Sequence, residues 1–179
     1  MNVWPDLRPV LEGLLWAVAG GVATRAYMPE RMTQDLDIVL RRGDCREAWT
    51  RFRQAGYLVA DVLDAPYFVA RSAEGVEVDV ICAAFPWLDE ALTTPNVDPA
   101  GYPVLDLPYL ILMKLMANRG VDIGDMTRML GLASEEMLGR VRAAVQTFSP
   151  EDGEDLETLI LLGKREMEEP ARGKWQDQL

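Results

Sequence analysis

The spacing of apolar and polar positions changes several times along this 179-residue chain, and each change marks an element. Leu7, Val10, Leu11 and Leu14 recur every three or four residues, which predicts a short helix over Asp6–Leu15. The apolar run Trp16–Ala19 reads as a buried strand ending at Gly20-Gly21, and Val22–Tyr27 as a helix stopped by Pro29. Asp35–Leu40 alternates and then turns apolar, as a strand does on entering a core. Asp44 is a suitable N-cap for a helix running to Ala55, with Cys45, Ala48, Trp49 and Phe52 inward and Gly56 closing it. Strands are predicted over Tyr57–Val62, Tyr67–Arg71 and Val76–Cys82, with a hairpin turn at Glu74-Gly75. Phe85–Val104 holds Pro86, Pro95, Pro99 and Pro103 and reads mostly as loop. Helices are predicted near Leu107–Arg119, Asp122–Leu130, Ser134–Thr147 and Pro150–Glu169, and a frayed tail from Ala171.

This pattern predicts an α+β chain: a small mixed β-sheet with flanking helices over residues 1–105, then a C-terminal helical part over 106–179. The longest apolar stretch near the start, Val10–Ala23, contains Glu12 and is too short to span a bilayer. No positive n-region precedes it, so a cytoplasmic location with no membrane partner is expected.

Composition narrows the chemistry. The chain has 18 Lys+Arg, 29 Asp+Glu and no histidine, for a net charge of −11. A histidine base, a Ser-His-Asp triad and a histidine zinc ligand are excluded. Cys45 and Cys82 are too few for a disulfide framework and read as small core residues. A bound metal should therefore be a hard cation held by carboxylates. The acidic balance also argues against broad binding along a phosphate backbone. Arg41–Arg53 is locally basic, and reads first as a solvated helix face and second as a phosphate-binding edge.

The acids themselves form a constellation. On a strand, Asp35 and Asp37 point to one face with Cβ atoms about 7 Å apart, a gap a cation can bridge. The second strand, Glu77-Val78-Asp79-Val80-Ile81, repeats the same-face acid pair and offers a third carboxylate at Asp79. Glu77 reads as a solvated partner. Three carboxylates on neighbouring strands would make a two-cation site of the kind phosphoryl transfer uses. Gly20-Gly21 ends a strand where backbone N–H groups could approach phosphates.

The run Ala19-Gly20-Gly21-Val22-Ala23, followed by Arg31-Met32-Thr33-Gln34-Asp35-Leu36-Asp37, resembles the signature of the polymerase-β-like nucleotidyltransferase superfamily. The Arg-x-Thr-x-Asp-Leu-Asp form resembles the abortive-infection branch of type IV toxin–antitoxin systems, and also small antibiotic nucleotidyltransferases. Lys114, Ala117 and Arg119, followed by Asp122 and Asp125, are similar to the toxin branch's second motif. The resemblance implies a nucleotidyltransferase fold. It implies that Asp35, Asp37 and Asp79 are catalytic and hold Mg²⁺ or Mn²⁺, with Asp79 accepting the proton of the attacking hydroxyl. Gly20, Gly21, Arg31, Thr33 and Lys114 would bind the NTP. The implied enzyme moves an NMP from an NTP to a hydroxyl on RNA, protein or a small molecule, is toxin-like, and has an antitoxin protein as a partner. The alternatives are an aminoglycoside-type small-molecule nucleotidyltransferase, which the net charge favours, and a non-catalytic binding protein of the same fold.

Overall fold

A computed structural model describes residues 4–29, 32–60 and 66–168. The chain divides into two compact units, Met1–Asp106 and Leu107–Leu179. The α+β arrangement expected from the sequence is observed, with seven strands in one mixed sheet and seven α-helices among the described residues.

The first unit carries β1 (Trp16–Val18), α1 (Gly20–Ala23), β2 (Asp35–Arg41), α2 (Cys45–Gln54), β3 (Leu58–Val59), β4 (Tyr67–Arg71), β5 (Glu77–Ala83), α3 (Leu88–Thr93), β6 (Asn96–Val97) and β7 (Pro103–Val104). The strand order is β3-β4-β5-β2-β1-β7-β6. β2 pairs parallel with β5, and β4 pairs antiparallel with β5, on its other side. Alternation then sorts the side chains. Leu36, Ile38 and Leu40 stand opposite Val78, Val80 and Cys82, all buried. α2 covers that face through Ala48 and Phe52, whose ring meets Phe68 edge-on at 5.8 Å. Asp35, Asp37, Asp79 and Val69 occupy the opposite face.

Several elements differ from the expected ones. Asp6–Leu15 is a series of turns and not a helix. Pro9 withholds a backbone donor, and Gly13 turns the chain at φ +79°. Leu7 and Leu11 are nevertheless buried. A 3-10 turn, Arg42–Asp44, precedes α2, so Asp44 has a helical backbone (φ −91°, ψ −3°) and its side chain makes no capping bond. The segment expected as loop contains α3 and two short strands, because Pro86 and Pro95 bracket α3 and do not interrupt it. The two cysteines form a disulfide that ties the start of α2 to β5. Asp61 and Val62 of the expected third strand, Glu169 of the last helix and the tail from Ala171 lie outside the described residues.

The second unit holds α4 (Leu107–Ala117), α5 (Gly120–Leu132), α6 (Glu135–Phe148) and α7 (Gly153–Glu168). Ser134 caps α6 by accepting a hydrogen bond from the Met137 amide at 3.2 Å. α5 and α7 approach closely. A Cβ added at Gly131 would lie 2.4 Å from the Gly163 carbonyl oxygen, and one at Gly163 would lie 2.1 Å from that of Thr127. Here the two backbones themselves are in contact. Among the described residues no helix is long and apolar enough to cross a membrane.

Candidate carboxylate site

Parallel pairing of β2 with β5 puts Asp37 directly beside Asp79, and Asp35 beside Glu77. The period-two alternation aims these side chains to one face. Asp35, Asp37 and Asp79 each bring one carboxylate oxygen to a common point, and the three oxygens lie within 4.8 Å of one another. All three residues are half-buried. Glu77 stays out of this group because Arg71, its cross-strand neighbour on β4, forms an ion pair with it.

The electrostatics of the cluster are unbalanced. Burial pushes the Asp79 carboxyl above its ordinary range, and the negative charges of Asp35 and then Glu77 push it further. Among the described residues no lysine or arginine pairs with Asp35 or Asp79. A set of three hard oxygen donors, close together and mutually repulsive, fits a Mg²⁺- or Mn²⁺-sized cation. Thr33 serves the cluster directly: its hydroxyl donates to Asp35 Oδ1 at 3.0 Å and fixes that carboxylate.

Gly20 forms one wall. It has φ +56°, and a Cβ there would lie 1.8 Å from Asp37 Oδ2. Both the backbone conformation and the space exclude any side chain. The Ala19 amide also donates to the Asp37 carbonyl at 2.9 Å, which anchors the end of β1 against the acid strand. The Gly21 carbonyl is tied down by the Thr24 hydroxyl at 2.8 Å. Arg31 lies outside the described residues.

Lys114 is held by carboxylates of its own unit. It sits in the second unit with its side chain 3% exposed. Its ammonium donates to Asp122 Oδ1 at 2.9 Å and to Asp125 Oδ2 at 2.8 Å, while Arg119 donates to Asp122 Oδ2 at 2.7 Å. Burial alone would raise the Asp122 pKa, but the hydrogen bonds from Arg119 and Lys114 outweigh it and hold the carboxyl below its ordinary value. Two of the three ammonium donors are therefore committed within the helical unit.

One feature of the first unit escaped sequence reasoning. A cavity of about 500 Å³ opens beside Asp37 and Asp79, over the same face of β4 and β5. Tyr67, Val69, Ile81 and Phe85 supply its apolar surface, and Arg42 is the one cation among its described lining residues. The available signal was the alternation of β4, which sends Tyr67 and Val69 to the side that carries Asp79.

No family model matches the chain, and no curated protein does either. Among solved structures, the chain is similar to the antibiotic-resistance factor ANT(2'')-Ia, with a TM-score of 0.47 and 18% identity over 87% of this chain and 86% of that one. The same factor in complex with adenylyl-2''-tobramycin is similar at a TM-score of 0.45 and 20% identity, over 86% and 89% of the two chains. The lincosamide antibiotic adenylyltransferase LnuA, lincomycin-bound, is similar at a TM-score of 0.46 and 11% identity, over 78% and 90%.

Proposed function

We propose that this chain is a divalent-cation-dependent nucleotidyltransferase that moves an NMP from an NTP to an acceptor hydroxyl. The observation that carries the reading is the convergence of Asp35, Asp37 and Asp79 on one point, against a glycine that leaves no room for a side chain. A Mg²⁺ or Mn²⁺ ion held by these carboxylates would act as a Lewis acid on the phosphate oxygens. Asp37 and Asp35 come from one strand and are the natural holders of the ion, with Asp35 oriented by Thr33. Asp79, with its raised pKa, is the acid best suited to accept the acceptor hydroxyl's proton. The bare backbone at Gly20 leaves room for a phosphate to approach Asp37 from the β1 side. The scheme uses no histidine, in keeping with a chain that has none.

The sequence resemblance to the abortive-infection branch extends the proposal to a toxin-like role with an antitoxin partner. Arg31, Gly21 and Lys114 enter it as NTP-binding residues on the same basis. The division at residues 105/106 into a catalytic α/β core and a helical part belongs to the same proposal.

Isothermal titration of ATP, GTP, CTP and UTP with Mg²⁺ tests the core of this reading. At least one NTP should bind the wild-type protein with Mg²⁺, and binding should fall at least tenfold with EDTA or in Asp37→Asn. If none of the four binds in the presence of Mg²⁺ or Mn²⁺, the reading is wrong.

A further inference from the structure

The sheet separates two sides of the carboxylate cluster. Along the order β4-β5-β2-β1, Gly20 follows β1 and abuts Asp37, whereas the cavity lies over β5 and β4 and meets the cluster at Asp79 and at the other side of Asp37. If the cluster transfers a nucleotidyl group, the attacking hydroxyl and the leaving pyrophosphate must lie on opposite sides of the α-phosphorus. The glycine side suits phosphates, because it has no side chain. The cavity side suits the molecule whose hydroxyl Asp79 deprotonates.

We infer, resting on the proposed nucleotidyl transfer, that the cavity is the acceptor subsite and takes a small ring-bearing alcohol or phenol that also carries an anionic group, held by Arg42. Three properties lead to this class. First, the floor is Val69 and Ile81, with Tyr67 and Phe85 as walls, and Tyr67 is 57% exposed. An aromatic left in water beside a reactive cluster is a platform for a flat apolar ring. Second, the guanidinium of Arg42 has no hydrogen-bond or ion-pair partner among the described residues. Its planar fork of donors matches a carboxylate or a phosphate. Third, among the described residues Asp37 and Asp79 are the only acids in the lining. Both belong to the carboxylate cluster, which leaves no other carboxylate among the described lining residues for the several ammonium groups of an aminoglycoside. The net charge of −11 favours such a polycation from afar, but the lining does not. A cavity of about 500 Å³ holds one molecule of drug-like size.

In the transfer, the acceptor O–H bond breaks, its proton passes to Asp79, and the oxygen bonds to the α-phosphorus. The bond from that phosphorus to the bridging oxygen breaks, and pyrophosphate leaves with that electron pair.

Two fluorescent probes test the subsite without knowledge of the natural acceptor. 8-Anilinonaphthalene-1-sulfonate carries the ring system and an anion. N-phenyl-1-naphthylamine carries the same rings and no charge. Both should bind the wild-type protein. Arg42→Gln should weaken the sulfonate about tenfold and leave the neutral probe within about twofold, whereas Tyr67→Ala should weaken both. Binding of MgNTP, measured by calorimetry, should be unchanged in Arg42→Gln. The inference is overturned if the sulfonate binds Arg42→Gln and Tyr67→Ala as it binds wild type, if tobramycin displaces the probe more effectively than hydroxylated aromatic acids do, or if Arg42→Gln loses MgNTP. Loss of MgNTP in Arg42→Gln alone would assign Arg42 to the nucleotide and leave the nucleotidyltransferase reading standing. Absence of MgNTP binding in the wild-type protein would remove that reading, and the acceptor role with it, whatever the probes do.

Discussion

Gly163→Ala adds one methyl group where α5 and α7 cross, and the structure fixes what that methyl meets. The new carbon would lie 2.1 Å from the Thr127 carbonyl oxygen and 2.7 Å from the Gly131 nitrogen. Ordinary contact starts at 3.4 Å, so the helices must part by 3.4 − 2.1 = 1.3 Å. Both obstacles are backbone, and no rotamer change relieves them. Overpacking costs about 1–3 kcal/mol, and this clash belongs at the upper end of that range. Alanine returns up to about 1 kcal/mol through its better helix propensity. The net loss is therefore about 2 kcal/mol, or a fall in Tm of roughly 4–8 °C for a chain of this size. Gly139→Ala is the control. It makes the same chemical change inside α6, where the new carbon meets nothing within 4 Å. Only the propensity gain remains there, about 0.5–1 kcal/mol and a rise of roughly 1–4 °C. Thermal melting followed by circular dichroism at 222 nm reads both. The reasoning is refuted if the two variants shift in the same direction, or if Gly163→Ala melts within about 1 °C of wild type.

Other consequences follow from charge and covalent structure. Lys114→Met leaves Asp122 and Asp125 buried with one cation fewer, and should cost roughly 3–5 kcal/mol in chemical denaturation; a loss under about 1 kcal/mol would show that the ion cluster is not a structural requirement. The depressed Asp122 pKa gives stability that is present above the unfolded-state value and is lost as pH falls through the folded one. Acid titration of wild type should therefore show a loss that Asp122→Asn lacks. At Asp79 the sign reverses: the raised folded pKa makes stability greatest at low pH and lost as pH rises through it. In EDTA, Asp79→Asn should therefore raise Tm at pH 7 and have little effect near pH 3, and equal shifts at both would contradict the charge argument. The disulfide closes a separation of 37 residues, which is worth about 4 kcal/mol by chain entropy. The Cys45→Ser/Cys82→Ser variant should unfold at correspondingly lower denaturant, and an unchanged midpoint would count against that linkage.

The acid strands were readable because a period-two alternation is visible in one short window: Asp35, Asp37 and Asp79 declare their faces with no knowledge of the rest. What the sequence hid depends on distance. The cysteines are 37 positions apart, and nothing local tells that α2 begins over the strand bearing Cys82. Lys114 looked like a lone cation among apolar neighbours. Its meaning depends on α5 folding back to present Asp122 and Asp125. The prolines after Phe85 misled in another way, since a proline breaks a helix that contains it but can also stand outside both ends. The cavity beside Asp79 needs two strands and the turn after β5 at once, so no single window displays it.

The position of β5 in the sheet has a consequence for biosynthesis. It lies between β4 and β2, so it is the piece that joins the β3–β4 ribbon to β2. It is also the strand that bears Asp79. A nascent chain that has emerged only as far as the Glu74-Gly75 turn displays Asp35 and Asp37 but lacks the third acid. Any premature product ending there would lack the three-carboxylate cluster. The residue that completes the carboxylate cluster arrives on the strand that joins β4 to β2, before β7 and β6 extend the sheet beyond β1.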